Sequence, residues 1–146
     1  MISVCFKTKS FLHENEKMLH IPGLYIAESE GRGRGVFTAV DIQKGDIIEY
    51  CPLIIIPPHQ KLLVDKTIFH DYYYNWPEPK GAACIPLGYG SIYNHSKKPN
   101  AEIVLDLDGQ VLQFHCIRAT EAGTEIFVDY SGGDAEELER LWFKSV

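Results

Sequence analysis

The chain lacks any apolar run long enough to cross a membrane, and its N-terminus lacks the basic-then-apolar order of a secretion signal. We therefore expect a cytoplasmic or nuclear protein that is not secreted and has no membrane partner. Its 146 residues fit one domain and leave little room for a second. We take residues 1–146 as a single domain, with a core at about 24–130 and a C-terminal segment at 131–146.

Positive charge is also in short supply, with 14 Lys and Arg against 20 Asp and Glu and a net charge of −6. Because phosphate contacts dominate nucleic-acid affinity, an acidic chain is a poor candidate for direct nucleic-acid binding. The charge suits a basic partner, such as a lysine-rich protein tail. Solubility alone explains the same charge equally well.

Common signatures of metal and nucleophile sites are missing as well. The six histidines show no metal-ligand spacing, and no G-x-S-x-G elbow surrounds Ser96. No C-x-x-C pair occurs, so we expect buried, reduced thiols and no metal. The four cysteines are Cys5, Cys51, Cys84 and Cys116.

The apolar runs that are present are short, rich in Ile, Val, Tyr and Phe, and separated by turn signals. This pattern predicts a mainly β protein of many short strands. The Asp108-Gly109 pair predicts that residues 101–107 and 110–117 form an antiparallel hairpin.

Two segments have helical character. Residues 134–143 combine a capping Asp134 with an apolar face and predict a short C-terminal helix. Residues 60–74 are long enough for a helix, although 71–74 fit an extended segment equally well. Residues 76–87 are rich in Pro and Gly and predict a loop.

Three motifs stand in order along the chain: G-R-G-R-G-V-F at 31–37, N-H-S-K-K-P-N at 94–100 and E-I-F-V-D-Y at 125–130. The first allows close approach of the backbone to a ligand, or simply a β-turn. A nucleotide-binding loop is a weaker alternative, because no G-K-S/T or helix follows. Taken alone, Asn94-His95 and Tyr130 are more commonly structural.

Together, these motifs resemble those of the SET-domain family of protein-lysine methyltransferases, over about residues 24–130. The resemblance implies a β-clip fold of several small sheets, with a threaded pseudoknot that brings Asn94 close to Tyr130. It implies methylation of lysine side chains on a basic protein, whether histone, ribosomal or other, with S-adenosyl-L-methionine as cofactor. Short members without flanking cysteine clusters are the most similar.

The resemblance also assigns site residues. Tyr130 matches the catalytic tyrosine, which orients the lysine amine, whereas Glu125 and Asp129 are expected to be polar residues at a strand end. An aromatic residue beyond the tyrosine often packs on adenine in the family, and the resemblance implies this role for Trp142 or Phe143. The alternative is that both rings anchor the predicted helix on the core. The cofactor-binding residues implied are Gly33, Arg34, Gly35, Asn94, His95 and Trp142.

Two positions depart from the family pattern. Ser91 stands where many members have an arginine that contacts the cofactor, and Val128 stands where an aromatic residue limits the number of methyl groups. The degree of methylation therefore stays open. The rival hypothesis is a catalytically silent SET-like module that binds a basic protein tail, but such a module has no need of Asn94, His95 and Tyr130 together.

Overall fold

A computed structural model describes residues 7–8 and 19–131. The predicted helix at 134–143, with Trp142 and Phe143, lies outside these residues, as does Cys5. The β-strands are β1 Lys7–Thr8, β2 Leu24–Ser29, β3 Gly33–Thr38, β4 Ile47–Ile56, β5 Tyr74–Trp76, β6 Ala82–Pro86, β7 Asn94–His95, β8 Ala101–Asp106, β9 Val111–Cys116 and β10 Phe127–Val128. The helices are α1 Pro58–Val64 and a 3-10 turn at Ile68–Asp71.

Six strands form the largest sheet, in the order β1-β8-β9-β4-β6-β5. All neighbours in it are antiparallel except β1 and β8. The long strand β4 pairs through one part with β9 and through another with β6. It therefore joins the two halves of the sheet.

The hairpin predicted around Asp108-Gly109 is confirmed, because β8 and β9 pair from Ala101–Cys116 to Asp106–Val111. Its connection differs from the tight two-residue turn that the Asp-Gly pair favours. The residue with positive φ is Gln110, at 50°, and the backbone N–H of Gly109 donates to the Asp106 carboxylate at 2.9 Å. A Cβ at Gly109 would approach that carboxylate to 2.5 Å, so a larger residue there would displace the Asp106 side chain.

Two small sheets, β2–β3 and β7–β10, lie beside the large one. The antiparallel hairpin of β2 and β3 runs from Leu24–Thr38 to Ser29–Gly33. In the other sheet, β7 and β10 pair parallel. A backbone hydrogen bond of 2.8 Å from Ile126 to Val36 ties the approach to β10 onto β3. The motifs at 31–37 and 94–100 thus contact residues 125–128 from two sides. The threaded pseudoknot stays a prediction.

The core lies between the large sheet and these small ones. Fully buried aromatic and aliphatic side chains fill it, and the rings of Tyr93 and Phe114 stack with centroids 4.2 Å apart. Val36 of β3 and Val128 of β10 belong to the same cluster. Close packing of this kind holds the small sheets against the large one.

Of the segment predicted as helical over 60–74, the α-helix continues only to Val64, and the 3-10 turn at Ile68–Asp71 follows. The extended alternative for 71–74 holds at Tyr74. The Tyr73 hydroxyl donates to the Asp65 carboxylate at 2.6 Å, and Tyr74 already begins β5. Burial of these two rings outweighs the helical pattern. Within the described residues, no helix has the length and apolar character that crossing a membrane requires.

The loop predicted over 76–87 was also wrong, because β6 occupies Ala82–Pro86. β6 lies between β4 and β5, and most of its side chains are buried. Proline is compatible with its end, where the ladder stops. The other Pro and Gly residues of the segment lie in the turn before β6, where Gly81 has a φ of 88°.

Candidate functional site

A cavity of about 330 Å³ opens beside the small sheets. Its size is that of a small-molecule site. The cavity gathers four residues implied by the family resemblance, together with four that were not. Its walls are Arg32, Gly33, Arg34, Tyr72, Ser91, Ile92, Asn94 and Tyr130.

The glycine-rich motif forms the tip of the β2–β3 hairpin, and its turn borders the cavity. The Arg32 N–H donates to the Ser29 carbonyl at 3.0 Å, and Gly33 has a φ of 78°. Only glycine adopts this conformation without strain. A Cβ at Gly33 would meet open space, whereas one at the buried Gly35 would lie within 2.8 Å of the Glu125 carboxyl carbon.

Asn94 joins the hairpin tip to the second motif. Its side-chain nitrogen donates to the Arg34 carbonyl at 3.0 Å and to Glu125 Oε1 at 2.7 Å. Because these two acceptors use both hydrogens of the amide, the carbonyl oxygen Oδ1 is what Asn94 offers to the cavity. That wall therefore carries a hydrogen-bond acceptor.

His95 faces away from the cavity because side chains alternate along a strand. Its side chain is buried, and Nδ1 accepts the Tyr130 N–H at 3.1 Å. Burial lowers the pKa of His95, so the ring is neutral near pH 7, with its proton on Nε2. Its side chain supports Tyr130 in this structure. The cofactor contact that the resemblance implies for His95 stays a prediction.

Tyr130 lies at the cavity wall with most of its side chain buried. Its hydroxyl donates to the backbone carbonyl of Tyr93. Burial, aided by the negative charge of Glu125, raises the pKa of Tyr130 well above its usual range. The phenol therefore stays protonated near pH 7, and its oxygen is the atom suited to accept a hydrogen bond from a ligand.

A second buried carboxylate supports this arrangement from the core side. Glu49 accepts the Tyr93 hydroxyl at 2.7 Å and the Tyr89 N–H at 2.9 Å. Burial raises the pKa of Glu49. The carbonyl that holds Tyr130 thus belongs to a residue fixed through both its ring and its hydroxyl.

Tyr72, which lines the cavity, was not predicted from the sequence. The Ser91 hydroxyl donates to the Tyr72 carbonyl at 2.6 Å, and the Tyr74 hydroxyl donates to the Gly90 carbonyl at 2.8 Å. Ser91 therefore uses its hydroxyl to hold the segment that carries Tyr72. Only the cluster of three tyrosines was a hint, and clusters of this kind are usually core.

Glu125 and Asp129, both expected as polar residues at a strand end, differ in the structure. Asp129 accepts hydrogen bonds from the backbone and hydroxyl of Ser131. Glu125 is buried among the site residues and accepts hydrogen bonds from Ser29 and Asn94. Val128 is fully buried in the core and does not line the cavity.

No group of three or more His, Cys, Asp or Glu side chains within residues 7–8 and 19–131 could hold a metal ion. The three cysteines described, Cys51, Cys84 and Cys116, are buried and free. Burial raises the pKa of Cys84 to about 12, which suppresses the thiolate.

The two small sheets, the glycine hairpin and the cavity walled by Tyr72 and Tyr130 define a mainly β protein with a small polar cavity. The family model of the SET domain matches residues 33–131. The chain belongs to the SET-domain family, and it is a protein-lysine methyltransferase.

Two relatives show the extent of the similarity. The chain is 27% identical over 122 residues to a Schizosaccharomyces pombe protein named histone-lysine N-methyltransferase, H3 lysine-37 specific, covering 83% of this chain and 77% of that protein. It also resembles the crystal structure of a Plasmodium falciparum protein provisionally described as a histone methyltransferase. That match has a TM-score of 0.61 and 31% identity, and covers 78% of this chain and 96% of the other.

Proposed function

We propose that this chain transfers a methyl group from S-adenosyl-L-methionine to a lysine side chain of a basic nuclear or cytoplasmic protein, with a histone H3 tail as the first candidate. The observation that carries the proposal is one cavity that joins the glycine hairpin, the Asn94 acceptor and the Tyr130 hydroxyl. The relative named for histone H3 and the net charge of −6 support this choice of substrate class.

The residues present fit this cofactor. The Asn94 oxygen suits an ammonium group, and Arg32 and Arg34 supply positive charge for a carboxylate. The open space at Gly33 leaves the hairpin backbone accessible to a ligand. An amino-acid group with both charges thus has partners on the same wall.

The chemistry needs a neutral lysine amine, although the lysine pKa is about 10.4 in model peptides. Removal from water favours the neutral amine. When bound, S-adenosyl-L-methionine supplies a methyl group on a positively charged sulfur. The lysine amine, after losing its proton to solvent, would accept this methyl group, and the sulfur would leave as a neutral thioether.

Tyr130 contributes orientation to this step. Its proton is held by the Tyr93 carbonyl, so its oxygen accepts from the lysine N–H and directs the nitrogen lone pair. The raised pKa of Tyr130 argues against a role as general base. Oxygen atoms at the cavity also stabilise the partial positive charge of the methyl group.

The proposal is tested by calorimetry with S-adenosyl-L-methionine, followed by transfer to histone H3. We expect binding that persists in the presence of a chelator, together with a higher melting temperature. No binding would contradict the proposed cofactor. Binding without transfer to any lysine-containing protein would favour the silent module.

A further inference from the structure

Glu125 is placed between the two ligand-facing segments, and both of its carboxylate oxygens are engaged. Oε2 accepts the Ser29 hydroxyl at 2.7 Å, and Oε1 accepts the Asn94 side-chain nitrogen at 2.7 Å. These donors lie 96 and 31 residues away in sequence. The side chain is buried, which strengthens hydrogen bonds to a charged acceptor.

The contact decides which end of the Asn94 amide faces the ligand. With the nitrogen inward, its two hydrogens meet the Arg34 carbonyl and the Glu125 carboxylate. A flipped amide would turn its oxygen toward these two acceptors and lose both hydrogen bonds. The orientation with Oδ1 toward the cavity is therefore set by acceptors on the other side.

Gly35 packs directly on the same contact. A Cβ there would fall far inside contact distance of Glu125 Oε1 and 3.0 Å from Asn94 Nδ2. Gly35 is not among the residues with positive φ, so its backbone conformation is open to alanine. Position 35 therefore requires glycine because the Glu125–Asn94 pair fills the space that a side chain would need.

We propose that Glu125 is the positioning residue that fixes the Asn94 amide with its oxygen toward the cofactor and holds the hairpin tip at the cavity wall. This inference rests on the proposed function. Glu125 contacts neither cofactor nor substrate in this role, and it acts through Asn94.

Two replacements of Glu125 by residues of similar length separate the effect of its hydrogen bonds from the effect of its size. Glu125→Met removes both acceptors, whereas Glu125→Gln keeps an oxygen for Asn94 and points its NH₂ at the Ser29 hydroxyl, which can accept. We expect Glu125→Met to weaken S-adenosyl-L-methionine binding by about 10- to 100-fold, the equivalent of a hydrogen bond to a charged group. Glu125→Gln should stay within about 3-fold of wild type, because its acceptor is retained.

Two further variants complete the test. Ser29→Ala removes the donor on the side away from Asn94, so it should lower the melting temperature and change cofactor affinity by less than about 3-fold. In an Asn94→Ala background, Glu125→Met should cause no further loss of affinity, because its effect passes through the missing amide. If Glu125→Met does not fold, Gly35→Ala displaces the same carboxylate from the other side and should show the same dependence on Asn94.

A cofactor-free measurement separates this inference from the proposed function. In the wild type, the Asn94 side-chain amide should exchange slowly with solvent by NMR, and it should exchange rapidly in Glu125→Met or Gly35→Ala. Slow exchange without any cofactor binding would contradict only the proposed function. Three results would overturn the role of Glu125. The first is amide exchange in the folded variants equal to that of wild type, and the second is a Glu125→Met cofactor affinity within about 2-fold of wild type. The third is a further loss of affinity when Glu125→Met is added to Asn94→Ala.

Discussion

The six-stranded sheet and the two small sheets are held together by different interactions. In the large sheet, long backbone ladders and apolar packing dominate, as in the β8–β9 hairpin and the stack of Tyr93 on Phe114. In the small sheets, strands as short as Phe127–Val128 are reinforced by side chains such as Asn100, which bonds to the backbone of Glu125 and Phe127. The difference suggests that damage to the large sheet reduces stability, whereas damage to the small sheets reduces function.

The largest selective effect is expected from Tyr130→Phe. The variant loses only the hydroxyl that orients the lysine amine, so methyl transfer should fall by roughly 10²- to 10⁴-fold. Cofactor affinity should be largely unchanged, which calorimetry and single-turnover kinetics can separate.

Tyr74→Phe is the matched control, because its buried hydroxyl also donates to a backbone carbonyl, that of Gly90. It should lower stability by about 1 kcal/mol and leave the rate within a few-fold. Equal rate losses in Tyr130→Phe and Tyr74→Phe would show that the hydroxyl of Tyr130 is only structural.

Phe114→Ala tests the large sheet. Phe114 is fully buried and stacks on Tyr93, so its loss should lower the free energy of unfolding by about 3–5 kcal/mol, as measured by denaturant titration. In the fraction that remains folded, cofactor affinity should change little. If folded Phe114→Ala bound the cofactor much more weakly than wild type, the contrast between a stabilising large sheet and functional small sheets would be wrong.

Trp142→Ala tests whether the Trp142 ring packs on the adenine of the cofactor, as the family resemblance implies. If the ring packs on adenine, binding should weaken by about 1–3 kcal/mol, the loss seen for a base–aromatic stack. The melting temperature of the cofactor-free protein should change modestly. A large stability loss with unchanged affinity would instead make Trp142 an anchor of the predicted helix.

The smallest effect expected is on pH dependence. Because burial lowers the pKa of His95 below its unfolded value of about 6.5, its stabilising contribution is present above that pH and is lost as pH falls through the folded pKa. His95→Asn keeps an acceptor near the position of Nδ1 but does not titrate. Melting temperatures from pH 7 to 5 should therefore fall more steeply for wild type, and parallel curves would contradict this assignment.

The sequence predicted the strands well where apolar runs and turn signals coincide, as around Asp108-Gly109. It failed where tertiary contacts override local pattern: β6 is stabilised by neighbours on both sides, and burial of Tyr73 and Tyr74 ends the helical region early. The motif residues were found through their resemblance to a family. The role of Glu125 and the place of Tyr72 were not predicted, because both depend on partners distant in sequence.

The most direct test of the account is transfer of an isotopically labelled methyl group from S-adenosyl-L-methionine to histone H3, with the modified residue located by mass spectrometry. The account predicts label on lysine with the wild-type chain and a loss of roughly 10²- to 10⁴-fold with Tyr130→Phe. Absence of labelled lysine on histone H3 and on a lysine-rich proteome, or equal labelling by the folded Tyr130→Phe variant, would contradict it.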